Sequence, residues 1–299
     1  MRITGNMITA QQLAGIQSNM ARLQQSQERV TSGKSFNAPS ENPNAAVKVM
    51  SAGSSLRALD QYRTNVDRAT SRITVEDSVL QQLGDLVTRA KELGVSQATD
   101  TASAQTKSVA NAEVQQIFAQ IAELANTKFG NEYLFGGQQS LTAPVQTSGS
   151  GATLDYTTTN PQGQRSVAIG DGQTVTATHD GKQVFLDTGV LDAVKSLVHA
   201  LDPSSGTQSA ISSALNQIDS AYNAVQTVVG DTGAQANRLS SVTQNLAALK
   251  TNYTTLRSDL QDIDIETAMT ELTSRQVAYQ AALLATSKVS SLNLTDYLR

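Results

Sequence analysis

The 299-residue chain contains no cysteine and no tryptophan, and only 2 histidines, 5 prolines, 7 tyrosines and 5 phenylalanines. Without thiols there is no disulfide framework, no Cys-ligated zinc and no thiol nucleophile. The two histidines, His179 and His199, leave little from which to build a metal site or a His-assisted catalytic group. Charge is also scarce: 16% of residues are charged and the formal net charge is −4, which argues against a nucleic-acid-binding surface. No run approaches about 18 continuous apolar residues, so no membrane insertion is expected. Met1-Arg2-Ile3-Thr4-Gly5-Asn6 carries one positive charge with no apolar core behind it, so no cleaved signal peptide is expected. Ala, Ser, Thr, Gln and Asn take the place of the missing charge, and the apolar surface is thinly spread.

What is present is periodicity. Leu239, Val242, Leu246, Leu249, Tyr253, Leu256, Leu260 and Ile263 are spaced by alternating steps of three and four residues, the heptad spacing of a coiled-coil-like seam. Ile211, Leu215, Ile218, Tyr222, Val225 and Val229 do the same upstream, as do Leu191, Val194, Val198 and Leu201 before Asp202-Pro203, where a helix should stop. In the N-terminal half, Leu59, Tyr62, Val66, Ala69 and Ile73 form one run. Glu76 interrupts it, and Leu80, Leu83, Val87 and Ala90 resume the register. Val114, Ile117, Ile121 and Leu124 form another run, and Leu13, Ile16, Met20, Leu23 and Val30 the first, with Gln27 in the intervening slot. So narrow a stripe fills a two- to four-helix bundle, and its tight seam has little room for large rings.

From about 135 to 188 the helix formers thin out. Asp155-Tyr156-Thr157, Ser166-Val167-Ala168-Ile169 and the alternating run Gln173 to Thr178 read as strands. Asp180-Gly181, before Lys182 to Asp187, has the composition of a two-residue hairpin turn. The expected fold class is mainly α: an elongated hairpin of long heptad-patterned helices, with a small β-rich domain inserted between the two helical arms.

Candidate chemistry is sparse. Gly33-Lys34-Ser35 ends like a phosphate-binding loop, but the glycine required five residues earlier is Glu28 and a helix precedes it. A helix-ending glycine is the better reading. Asp262, Asp264 and Glu266 would spread around a helix without converging on a cation, so Asp262 or Asp264 reads as an N-cap. His179, beside the expected turn, should be exposed, and His199 should flank a seam. Asn252-Tyr253-Thr254 and Asn293-Leu294-Thr295 match the glycosylation pattern and read as chance matches. No catalytic, cofactor-binding or metal-binding residue is assigned. Residues 1–35 carry Arg2, Arg22, Arg29 and Lys34 against Glu28 alone, whereas 259–271 carry five acidic residues and no basic one. Opposite sign at opposite ends suits a pairing between the two arms, with two independently solvated faces as the alternative.

Val30-Thr31-Ser32-Gly33-Lys34-Ser35-Phe36-Asn37-Ala38-Pro39-Ser40-Glu41-Asn42-Pro43-Asn44-Ala45-Ala46 resembles the N-terminal signature of the bacterial flagellin superfamily. Ala125-Asn126-Thr127-Lys128 and Tyr133-Leu134-Phe135-Gly136-Gly137 are similar to the end of that family's N-terminal helical region. Gln235 to Ile263, followed by Asp264-Ile265-Glu266, is similar to its C-terminal helix and acidic break. Three features resemble the branch that joins hook to filament rather than the filament subunit: the start Met1-Arg2-Ile3-Thr4, the prolines Pro39 and Pro43, and the ending Ser291-Leu292-Asn293-Leu294-Thr295-Asp296-Tyr297-Leu298.

The resemblance implies a non-enzymatic structural subunit that leaves the cell through the flagellar type III export system and resides outside it at the hook–filament junction. It implies terminal assembly helices at 1–38 and 264–299 forming an inner tube, helical rod arms at 39–134 and 189–263, and an outer β domain at 135–188. Expected partners are other copies of the chain, a hook-associated protein on the hook side, flagellin on the filament side, and an export chaperone with the export apparatus. The expected terminal interface comprises Ile3, Leu13, Ile16, Met20, Leu23, Val30, Met269, Leu272, Tyr279, Leu283, Val289 and Leu292. The expected rod seam comprises Leu59, Val66, Ile73, Leu80, Leu83, Ile117, Ile121, Leu124, Leu239, Val242, Leu246, Leu249, Leu256, Leu260 and Ile263. A filament flagellin is the alternative, and more remotely a coiled-coil scaffold or signalling protein. A lone helix with so narrow a stripe is marginal in water, so the two ends should order only against each other and against neighbours. In a dilute monomer, amide exchange over residues 1–30 should therefore be fast; strong protection there would rule this out.

Overall fold

The structure is a computed structural model describing residues 2–99, 103–159, 161–204 and 206–297; side chains at 2–6, 8, 9, 152 and 289–297 fall outside the description. Ile3, Val289 and Leu292 are therefore outside the described side chains. The element order is α1 (Arg2–Ser32), α2 (Pro43–Gln97), α3 (Ala104–Ala125), β1 (Lys128–Phe129), β2 (Glu132–Tyr133), β3 (Val145–Ser148), β4 (Asp155–Thr158), β5 (Arg165–Gly170), β6 (Gln173–Thr178), α4 (Val190–Ala200), α5 (Gln208–Gln261) and α6 (Ile265–Tyr297). The chain is mainly α, with a small β region between two helical arms. It divides into two compact units: a terminal unit, Met1–Ala58 with Ala248–Arg299, and a central unit, Leu59–Ala247. Both α2 and α5 contribute to each.

The central unit holds the dense core. Along α2, buried residues fall at Val66, Ala69, Ile73, Glu76, Leu80, Leu83, Val87 and Ala90, in steps of three and four. On α5, Ile211, Ala214, Ile218, Ala221, Val225, Thr232, Leu239 and Leu246 follow the same rhythm. Small Ala214 and Ala221 occupy the seam, and Leu215 and Tyr222 pack from its edge. The seam expected at Leu59, Val66, Ile73, Leu80, Leu83, Ile117, Ile121, Leu239 and Leu246 is buried. Leu124, Val242, Leu260 and Ile263 are half-buried, whereas Leu249 and Leu256 remain exposed. Three of the five phenylalanines, Phe118, Phe135 and Phe185, are fully buried. Phe135 and Phe185 meet edge-to-face at 5.1 Å between centroids.

Among the described residues, three antiparallel hairpins make up the β region: β1–β2, β3–β4 and β5–β6. Asn126, capping α3, clasps β3 from the side: its Nδ2 donates to the Val145 carbonyl at 2.7 Å and its Oδ1 accepts from the Val145 amide at 3.1 Å. Glu132 takes both Arg165 nitrogens and Arg72 Nη1, at 2.6, 3.3 and 3.2 Å. Arg72 also lies over the Phe129 ring at 5.2 Å, so one carboxylate joins β2, β5 and α2.

The expected hairpin at Asp180-Gly181 does not form. The turn between β5 and β6 is the other Asp-Gly pair, Asp171-Gly172, with Gly172 at φ +65°. Lys182–Leu186 is a π-helical turn rather than a strand. Asp180 starts that turn, accepting from the amides of Gln183 and Gly163, both at 2.9 Å. Gly181 sits in ordinary helical geometry, φ −66°. It is a glycine because its amide donates to the Phe135 carbonyl at 2.9 Å, and a Cβ there would stand 2.7 Å from that oxygen. Gly181→Ala should therefore cost about 1–3 kcal/mol through overpacking, read as a lowered urea midpoint; an unchanged midpoint would refute the close approach.

Candidate assembly interface

The terminal unit is built on a short stretch of backbone where its two arms meet. Helix α1 ends at Gly33, φ +68°, whose amide closes onto the Arg29 carbonyl at 2.9 Å. This is the left-handed cap that glycine adopts without cost. Lys34 then forms an isolated antiparallel bridge with Asp262. The Ser35 amide donates to Gln261 O at 2.7 Å, and the Ile263 amide to Gly33 O at 3.0 Å. These bonds fix the register of the first helix against the last.

The proline-bearing segment turns the chain back. Phe36 is buried against Ala45, Ala46 and Val49. Glu41 accepts from the Asn37 amide at 3.3 Å and faces Arg29 at 3.9 Å. Asn42 caps α2, its Oδ1 taking the Ala45 amide at 3.2 Å, and Pro43 fills the first helical position, where no donor is required. On the other strand Asp264 caps α6, accepting from the Glu266 amide at 3.0 Å and the Thr267 hydroxyl at 2.9 Å. The Thr267 hydroxyl and the Glu266 amide hold the Asp264 carboxyl below its ordinary range.

Helices α1 and α6 pack against each other, and part of the expected terminal interface faces that seam while part stays exposed. Among the described side chains, the covered positions on α1 are Gln12, Ile16, Asn19, Leu23, Gln25, Ser26, Arg29 and Val30. The face containing Ile16, Leu23 and Val30 turns inward, and Leu13 and Met20, one position on from Gln12 and Asn19, stay exposed. Among the described side chains of α6 the covered positions are Ala268, Glu271, Leu272, Arg275, Tyr279, Ala282 and Thr286, and Met269 and Leu283 are exposed. Half of each apolar stripe thus enters the intrachain seam beside Gln, Asn, Ser, Ala and Thr, and half faces outward. Sequence reasoning also missed Val47 and Met50 at the start of α2, both about two-thirds exposed; their spacing of three was the available signal.

The expected charge pairing between the arms is not how they meet. Arg29 faces Glu41 and Arg275 pairs with Glu271 on its own helix; among the described residues no ion pair joins 1–35 to 259–271. The backbone bonds at 33–35 and 261–263 and the packing of α1 on α6 join the arms.

Exposed large apolar side chains concentrate in this unit. Met7, Leu13, Met20, Val47, Met50, Leu249, Leu256, Ile265, Met269, Val277, Leu283 and Leu284 all belong to it. Among the described residues, only Val95, Val109 and Leu141 of this exposed class lie in the central unit. No group of three or more His, Cys, Asp or Glu among the described residues is placed to hold a metal ion, and no helix there is long and apolar enough to cross a membrane.

Residues 3–140 match the bacterial flagellin N-terminal helical region, and residues 215–298 match the bacterial flagellin C-terminal helical region. The chain belongs to the bacterial flagellin family. Within that family it is similar to flagellar hook-associated protein 3 of Escherichia coli (strain K12), at 26% identity over 312 aligned positions covering 98% of each chain. It is also similar to flagellin of Bacillus subtilis (strain 168), at 25% over 325 positions covering each chain in full. Two solved structures share the fold. A putative flagellar hook-associated protein from Vibrio parahaemolyticus aligns with a TM-score of 0.66 and 18% identity over 74% of this chain and 100% of that one. The flagellar junction protein FlgL from Legionella pneumophila aligns with a TM-score of 0.59 and 15% identity over 73% and 100%. The two flagellin-family regions leave 141–214 unmatched, the stretch that holds β3 to β6 and α4.

Because the folded Asp264 carboxyl titrates below its ordinary value, its cap is complete above about pH 3.9 and is lost as pH falls through the lower folded value. The Glu266 amide resonance should therefore move with a midpoint below that of an ordinary aspartate, and Asp264→Asn should abolish the movement. A midpoint at or above the ordinary value would contradict the cap.

Proposed function

We propose that this chain is a non-enzymatic structural adaptor at the hook–filament junction of the bacterial flagellum, assembling through α1, α6 and the start of α2. The observation that carries the reading is the divided stripe. Leu13, Met20, Met269 and Leu283 lie on the helices that pair within the chain, yet they are left outward and uncovered. Exposed apolar patches of this kind mark association surfaces. Similarity to hook-associated protein 3 over 98% of both chains supports the junction, and the family supports residence in the flagellum.

In this reading residues 1–38 and 264–299 are the assembly helices, 39–134 and 189–263 the rod, and 135–188 the outer domain. The outward halves of the stripe order against other copies, against a hook-associated protein on one side and against flagellin on the other. The polar positions of α1, rich in Gln and Ser, suit a wet lumen. In the same reading the chain reaches the flagellum through the flagellar type III export system, with a chaperone covering α6 beforehand.

The similarity to Bacillus subtilis flagellin favours one second reading, a filament subunit. Polymerisation separates them. A junction subunit adds a limited layer to a seed and stops, whereas long filaments grown from the purified chain would establish the filament reading. Deleting the gene should leave cells with hooks that shed flagellin into the medium. Leu283→Asp replaces an already exposed side chain, so it should leave a soluble helical monomer while abolishing incorporation at the hook tip. Unimpaired motility of cells carrying Leu283→Asp would overturn the terminal interface.

A further inference from the structure

Glu76 interrupts the apolar rhythm of α2 in the sequence, and a carboxylate there would be expected to leave the seam. Instead it holds its place between Ile73 and Leu80 with 0% of its surface exposed. His179, expected in solvent beside a turn, is 7% exposed. Its Nδ1 lies 2.6 Å from Glu76 Oε1, and its amide donates to the same oxygen at 3.2 Å. The opposite wall is α5. Thr232 donates to the Val228 carbonyl at 2.9 Å, and its oxygen stands 3.4 Å from His179 Nδ1 and 3.5 Å from Glu76 Oε1. Gln235, one turn on, brings Nε2 to 3.4 Å from His179 Nε2. A polar layer therefore crosses an otherwise apolar seam, and the histidine within it belongs to the β insert, one residue after β6.

We propose that Glu76, His179, Thr232 and Gln235 form a proton-responsive clamp that fastens the end of the β insert to α2 and α5. Two unpaired atoms suit the layer to a change of charge. Glu76 Oε2 is buried without a hydrogen bond, as is Gln235 Oε1. With a neutral imidazole, the Gln235 amide donates to Nε2. A half-turn of that amide presents the unpaired Oε1 to the Nε2–H of an imidazolium, so each protonation state has a partner. A groove lined by Gln164, Gln183, Asp231, Gln235 and Arg238 opens beside His179 and gives protons access.

The surrounding charges set the direction. Glu76 faces the imidazole from α2. Asp231 and Arg238 flank it from α5. Asp180 is on its own segment, with its oxygens committed to backbone amides, and Asp187 is paired with Lys182. Arg72, one turn before Glu76, is committed to Glu132. Burial draws the His179 pKa down, but the Glu76 hydrogen bond and the negative charges of Glu76, Asp231 and Asp180 together draw it up, and the net direction is up. The clamp is therefore complete below about pH 6.5, the ordinary histidine value, and weakens as pH rises through the elevated folded value.

With only two histidines, the His199→Gln variant leaves one imidazole to follow by NMR, in the full chain. His179 should titrate above pH 6.5 and fall by about one unit or more in Glu76→Gln. Hydrogen-exchange protection of Gln173–Leu186, corrected for intrinsic rate, should drop about tenfold per unit of upward shift as pH crosses the titration. Gln235→Leu should lower the midpoint without removing it. Titration at or below 6.5, a midpoint unmoved by Glu76→Gln, or protection independent of pH would each overturn the clamp. Should Glu76→Gln fail to fold, the titration and the exchange series on chains retaining Glu76 decide the matter.

Discussion

Everything in this chain depends on how a stripe two residues wide in every seven is shared out. Such a stripe covers one neighbour completely or two neighbours partly. In the central unit α2 and α5 use theirs within the chain, with α3 and α4 adding Ile117, Phe118, Leu191 and Leu197 to close a continuous core. In the terminal unit α1 and α6 divide theirs, placing Gln12, Asn19 and Ser26 where a self-sufficient pair would place leucine. The same repeat thus yields a finished core in one unit and an open surface in the other.

Helix positions were legible because a three-four rhythm survives any neighbour, and local caps were legible because they need only local chemistry. Gly33 and Asp264 do what their residue types predict. Which edge of a stripe turns inward was not legible. Leu13 and Gln12 differ by one position, about 100° around the axis, and apolar content favours the leucine. The structure covers the glutamine instead, and the Lys34–Asp262 bridge that joins the same two arms is a backbone contact with no side-chain signature. Charge counting pointed to paired arms, but Arg29 found Glu41 closer at hand.

Within the β region, strands β4, β5 and β6 were visible as alternation, yet the sequence contains two Asp-Gly pairs and composition cannot rank them. What separates them is remote: Phe135 lies against Gly181 and nothing approaches Gly172. Glu76 and His179 were unreadable for the same reason. Each looks misplaced alone, and only their meeting 103 residues apart makes either one sensible. A carboxylate in an apolar seam signals a long-range partner without naming it.

The polar seam of α1 also has a mechanical consequence. Among the described residues the seam of α1 and α6 takes in Gln12, Asn19 and Ser26, whereas the core of the central unit is lined by Leu, Ile, Val, Ala and Phe. A force pulling the two ends apart should therefore open that polar seam at a lower load than the apolar core of the central unit can bear.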